Sequence, residues 1–334
     1  MSSPTSTFRA LGNSRALRLA LSRHGRLVLS GLAGTAGIVI AVLAARKFAE
    51  TPWPLTDGHP GLLVAAGALS LVGYGLKAFG WQRLFAVDQR PQPLALAAAS
   101  GGASVTGLVL PGRFDDVVRV AIVRRYPGCP ACVRTLCLSL FMLALIDTAA
   151  LAPLALGAGV LSDQSLGVRL GLGLIAVAGV GAAALVVALP RLTRSERVLR
   201  YRIGRWLEPR TIPLGHAALA WAFVSACWMT RVVALMILLG ALGVGFSLPL
   251  ALLFLCASSA AAALPIAPGG AATQAGAGAA VLIASGAEVS QAVGVAVTVQ
   301  ALAVLVGGSI LLFAAAWRTA LRLVPRYRAA SASA

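Results

Sequence analysis

The sequence predicts an all-α polytopic membrane protein, built as an inverted-topology repeat with two re-entrant helical hairpins. Three observations predict it. Of 334 residues, 59% are hydrophobic and only 11% charged, with a mean hydropathy of +0.88, and several apolar runs approach the roughly 20 residues that cross a bilayer. The basic residues cluster beside those runs rather than in a domain of their own. Two Pro-Gly breaks, Pro111-Gly112 and Pro268-Gly269, interrupt apolar segments in the two halves of the chain.

The apolar segments run Leu27–Ala45, Pro60–Gly80, Pro93–Leu110, Ala131–Val160, Val168–Leu189, Ala217–Leu239, Leu248–Pro265, Gly269–Ala284 and Gln291–Trp317. The first is longer than a secretory h-region and is followed by Arg46-Lys47, so it reads as a retained helix. The expected domains are a basic N-terminal segment (1–26), a transmembrane unit (27–317, with repeats of roughly 27–160 and 168–317) and a basic tail (318–334), which should fray beyond Pro325.

Charge sets the expected orientation. The formal net charge is +18. Arginines gather before Leu27, in the loop from Arg191 to His216, which holds seven of them, and after Trp317. By the positive-inside rule these regions are cytoplasmic, with both termini inside and the chain in the cytoplasmic membrane. The same clusters suit anionic lipid headgroups. No basic soluble domain remains for nucleic acid, so none is expected as a partner. The sequence says nothing of oligomeric state.

This orientation creates a parity problem. The second segment returns to the cytoplasm near Trp81, and the fourth must start there too, so Pro93–Leu110 makes no net crossing. The same holds for Leu248 to Ala284. An offset of 157 residues (268 − 111) superimposes the two breaks. It also carries Pro60 onto Ala217 and Ala131 onto Glu288, each at or near the start of an apolar segment. The matched segments run in opposite senses, which is the inverted-repeat plan of membrane transporters. Each half then holds a hairpin that dips into the bilayer and returns. Irregular backbone at that depth is tolerated only when buried in protein or lining a wet cavity.

Three groups of residues carry chemical potential. In LPGRFDDVVRVAIVRR, Arg113 stands at the first break, Asp115 and Arg119 are i,i+4 partners on a helix, and Asp116 and Arg119 are i,i+3 partners. A guanidinium fork suits a phosphate or carboxylate. In LPIAPGGAATQAG, Pro265 and Pro268 break the helix. Gly269 and Gly270 let backbone approach closely, and Thr273 and Gln274 fall in the first turn of the half-helix that follows. The small residues after the break equally suit close helix packing. Asp147 lies deep in the apolar run LFMLALIDTAALAPL, and a carboxylate there needs a basic partner, for which Arg113, Arg119 and Arg231 are candidates. Cys129-Pro-Ala-Cys132 has redox spacing without a redox or metal context. No nucleophile–base pair, metal-ligand cluster or P-loop is present in the sequence, so no enzymatic activity, metal or cofactor is expected.

These motifs resemble the flippase-like transmembrane domain of the lysylphosphatidylglycerol synthase family, a group of bacterial and archaeal membrane proteins. LPGRFDDVVRVAIVRR looks like the family's Pro-Gly-Arg segment, ALPIAPGGAATQAGAGAAVLIASG like its later Pro-Gly-Gly segment, and Asp147 sits where the family often has an Asp. Asp115-Asp116 stands where relatives often read Gly-Glu, and Gln274-Ala275 where many carry Glu. Synthase members add a soluble aminoacyl-transfer domain, for which no room follows the last helix. The resemblance implies movement of lipid between leaflets without lipid synthesis. The expected cargo is an anionic phospholipid or lipid-linked headgroup. It would be held by Arg113, Asp115, Asp116, Arg119, Asp147, Gly269, Gly270, Thr273 and Gln274, with Pro111, Gly112, Pro265 and Pro268 as the structural breaks. A non-transporting scaffold of an envelope-assembly complex and a membrane-embedded transferase on lipid-linked sugars are the alternatives.

Overall fold

The computed structural model describes residues 59–107, 114–126, 131–162, 165–192, 213–263 and 270–331. Among them the chain is helical, with no strand. Nine helices follow in order: α1 (Pro60–Gln82), α2 (Pro93–Thr106), α3 (Phe114–Arg125), α4 (Val133–Leu161), α5 (Leu166–Leu192), α6 (Leu214–Ala241), α7 (Leu248–Ala263), α8 (Gly270–Ala284) and α9 (Val289–Ser331). The predicted first span, Leu27–Ala45, lies outside the described residues.

Five helices, α1, α4, α5, α6 and α9, are long and apolar enough to cross a bilayer. The chain is therefore a multi-pass membrane protein. The other four have 14, 12, 16 and 15 residues. At 1.5 Å per residue they extend about 18 to 24 Å, short of a hydrocarbon core of about 30 Å.

Local chemistry sets the boundaries. Pro60 and Pro93 open α1 and α2 at the position where a missing N–H costs nothing. Gly243 (φ 77°) and Gly286 (φ 91°) close α6 and α8 in the left-handed region. The amides that follow them, Val244 and Ala287, donate back to the carbonyls of Leu239 and Leu282 at 3.0 Å. One boundary differs from expectation. The last helix continues past Trp317 and through Pro325 to Ser331. The Ala, Leu and Arg residues after Trp317 are strong helix formers, which outweighs one proline.

α1 packs along α6, α4 along α5, α2 against both α3 and α9, and α7 against α8. In a bilayer, helix association depends on close packing and hydrogen bonds because lipid is as apolar as leucine. Both devices are present. Trp81, Phe85, Leu136, Ile146 and Leu238 are fully buried. Trp81 donates through Nε1 to Ser139 Oγ at 2.9 Å, and Ser139 donates to the Leu136 carbonyl. On α1, a Cβ at Gly73 would sit 3.1 Å from Thr230 Oγ1, and one at Gly80 3.2 Å from the Ala220 carbonyl. The tightest crossing joins α2 to α9, where the backbones of Gly101 and Gly307 touch. By contrast Leu174 and Val177 on α5 are about 70% exposed, as a lipid-facing surface requires.

Gly307→Ala would drive a Cβ to 2.8 Å from the Gly101 carbonyl. Overpacking of this kind costs about 1 to 3 kcal/mol, so thermal unfolding in detergent is expected at a lower temperature. Gly171→Ala, on a site with open space around it, is expected to be neutral or slightly stabilising. Equal effects from the two would contradict the close crossing.

Candidate functional site

The helices frame a partly open cavity of about 590 Å³ whose mixed lining sets charged and polar side chains among apolar ones. Its centre is a network across three membrane-spanning helices. Lys77 on α1 and Asp147 on α4 form an ion pair, with Nζ 2.5 Å from Oδ2. Trp228 on α6 donates through Nε1 to the other carboxylate oxygen at 3.0 Å. The Arg231 guanidinium, one turn further along α6, lies over the Trp228 ring, 5.1 Å from its centroid. Such a stack favours the cation by about 0.5 to 2 kcal/mol. Helical spacing aims these groups inward: Ser70, Tyr74 and Lys77 share one face of α1.

A second charged group closes one side. On α3, Arg119 pairs with Asp115 at 3.2 Å and with Asp116 at 2.8 Å. This is the i,i+4 and i,i+3 arrangement the spacing predicts. Both carboxylates sit in the first turn of α3, where the helix dipole favours negative charge, and Arg124 and Arg125 occupy the last turn, where it favours positive charge. Opposite them, Ser258 on α7 donates to the backbone carbonyl of Gln274 on α8 at 3.0 Å, joining these two short helices. Tyr74 and Ser104 share a hydrogen bond of 2.5 Å and link α1 to α2.

The fold thus brings Asp115, Asp116, Arg119, Asp147 and Gln274 to one cavity, although the sequence spreads them over 160 positions (274 − 115 = 159 apart). Thr273 is half-buried on α8 and does not line the cavity. Gly270 is the first residue of α8. Arg113, Gly269 and the breaks Pro111, Gly112, Pro265 and Pro268 lie outside the described residues.

One assignment needs correction. The direct ion partner of Asp147 is Lys77, which sequence reasoning passed over. Arg119 is occupied by its own acidic neighbours, and Arg231, stacked on Trp228, attracts Asp147 electrostatically without ion-pair contact. Lys77 sits in the final turns of an apolar span, where a lysine reads as snorkelling to the interface. The available signal was its helical register with Ser70 and Tyr74, a polar stripe on an otherwise apolar helix. Among the described residues, no three His, Cys, Asp or Glu side chains come together as a metal cluster would require.

Membrane-spanning helices around an internal cavity of paired charges define a polytopic membrane protein with a buried polar site. The chain belongs to the lysylphosphatidylglycerol synthase transmembrane family: the model of the family described as Lysylphosphatidylglycerol synthase TM region matches residues 17–311. Membership gives the protein a membrane-lipid-related function. No curated protein and no solved structure matches the chain.

Lys77→Met would leave Asp147 charged at membrane depth. Removing one partner of a buried pair costs about 3 to 5 kcal/mol, and the cavity's access to water places this pair at the lower end. The double variant Lys77→Met/Asp147→Leu removes both charges and is expected to unfold at a higher temperature than Lys77→Met alone. Additive losses in such a double-mutant cycle would show that the two groups do not interact.

Proposed function

We propose that the chain is a flippase-like transporter of the cytoplasmic membrane, moving an anionic phospholipid or lipid-linked headgroup between leaflets without covalent chemistry. The observation that carries this reading is the collection of six charged side chains in one cavity framed by membrane-spanning helices. Charge at that depth is expensive and marks a pathway or binding site. Headgroups would occupy the cavity while acyl chains stay in lipid beside the small-residue surfaces.

The element order supports an inverted repeat. Helices α1, α2, α3 and α4 begin at 60, 93, 114 and 133; α6, α7, α8 and α9 begin at 214, 248, 270 and 289. All four pairs fall within three residues of the 157-residue offset between the Pro-Gly breaks. The packing follows the same correspondence, since α2 lies on α3 as α7 lies on α8, and α1 meets α2 as α6 meets α7. The shortness of α2, α3, α7 and α8 supports hairpins that enter and turn back. In this plan Arg113 and Arg119, with the amides after Gly269-Gly270, would hold the headgroup. Both termini lie in the cytoplasm, and the unit 27–317 is flanked by two basic segments that hold anionic lipid.

Purified protein in vesicles is expected to speed exchange of a fluorescent anionic phospholipid between leaflets. Arg113→Ala and Arg119→Ala should each slow it by about tenfold or more, the scale of a lost charge-assisted contact. Wild-type protein that moves no lipid would overturn the transporter reading in favour of a scaffold. Single cysteines at 111 and 268, in a background without native cysteines, test the hairpins. Labelling of 111 only from outside and of 268 only from the cytoplasm would disprove re-entry.

A further inference from the structure

We infer that an anionic phospholipid binds outside the cavity, where the end of α3 meets α9, with its phosphate held by Arg318 and the Tyr126 hydroxyl. Neither residue lines the cavity. The site stands on the membrane-spanning fold and is independent of the transporter reading.

Two enclosed polar atoms carry the argument. Tyr126 directly follows α3 and is 7% exposed. It packs against Ala95 and Ala98 at the start of α2 and Ala314 on α9. In these apolar surroundings its hydroxyl oxygen is buried without a hydrogen-bond partner, which is costly. The charge of Arg318 on α9 acts on that hydroxyl. Arg318 Nε is itself buried without a partner, although the residue as a whole is half-buried and so connects the enclosed hydroxyl with the surface. A guanidinium only donates, and a phenol readily donates. What the pair calls for is an acceptor, and an oxyanion accepts from both.

The surrounding charge selects an anion. Arg124 and Arg125, in the last turn of α3, are exposed. None of Arg124, Arg125 and Arg318 has an ion-pair partner among the described residues. The carboxylates of α3 lie in its first turn, about 15 Å away at 1.5 Å per residue, and are held by Arg119. The negative pole at the end of α3 offsets only about half an elementary charge.

The setting selects a lipid. Phe313 and Trp317 on α9 are exposed and stacked, with ring planes 21° apart. Aromatic side chains of this kind sit at headgroup level, and the apolar span of α9 ends at Ala320. Arg318 therefore stands at the depth of lipid phosphates, with Leu305 and Leu312 exposed along α9 for an acyl chain. A free phosphate gains nothing from that apolar surface. Helices α3 and α9 both pack on α2 and little on each other, so the lipid ties the end of α3 to α9.

Thermal unfolding of the full-length protein in detergent, with phosphatidylglycerol, phosphatidylcholine or inorganic phosphate added, tests this. Phosphatidylglycerol is expected to raise the wild-type unfolding temperature more than phosphatidylcholine at equal concentration, and inorganic phosphate to leave it unchanged. In native mass spectrometry, Arg318→Gln and Tyr126→Phe should each retain about tenfold less phosphatidylglycerol than wild type, the scale of one lost charge-assisted contact. Tyr126→Phe also deletes a hydroxyl that lacks a partner without lipid. The lipid-free variant is therefore expected to unfold at or above the wild-type temperature while its response to lipid falls. The loss caused by Arg318→Gln should persist in an Arg119→Ala background, which separates this site from the cavity. Equal protection by phosphatidylcholine or by inorganic phosphate would overturn the inference. So would unchanged retention in Arg318→Gln or Tyr126→Phe, or a loss that vanishes in the Arg119→Ala background. Arg318-dependent retention together with no leaflet exchange in the vesicle assay would support this site and count against transport alone.

Discussion

A charge in hydrocarbon is tolerable only when something close by neutralises it, and the contact between Lys77 and Asp147 meets that demand across α1 and α4. Much of the interior follows from it. The carboxylate's second oxygen recruits Trp228, so α6 is tied to the same point. Trp228 in turn gives Arg231 a surface to lie on. Three helices from distant parts of the sequence are thereby joined around polar atoms, and the space left between them is a cavity that apolar packing does not fill. The same residues that make the interior costly give it a definite geometry.

How much of this was legible in the sequence depends on the range of the interaction. Short-range features were readable. The Arg119 pairs with Asp115 and Asp116 lie within one turn, so helical spacing is sufficient to place them. The long apolar helices appeared close to their expected limits because bilayer thickness imposes them. The isolated Asp147 announced that a cation must be near. Which cation is a tertiary question, and spacing within one helix carries no information about it. Lys77 lies 70 positions away and owes its partnership to the crossing of α1 and α4. Trp228 was hidden for another reason: an indole in an apolar span reads as core or interface, and its hydrogen bond to Asp147 is visible only in three dimensions. The length of α9 beyond Trp317 was not legible because an apolar run marks only the part of a helix that suits lipid, and the basic stretch after it carries no hydropathy signal.

Membership in a family of membrane-lipid proteins narrows the chemistry without fixing it. What distinguishes this chain is local. Its second break is followed by the neutral Gln274, so the charge in the cavity comes from the first half and from α6. The four short helices contribute mostly hydroxyls, amides and the self-paired group on α3, while the long helices supply the other charged pair and the Arg231 guanidinium stacked on Trp228.

The contact between Gly101 and Gly307 has a mechanical side. With no side chains between them, α2 and α9 have no layer in which to slide. At the contact of α4 with α7, by comparison, side chains intervene, with Leu252 3.8 Å from the Cβ position of Gly157. An added methyl group therefore meets backbone at the first crossing and only an adjustable side chain at the second.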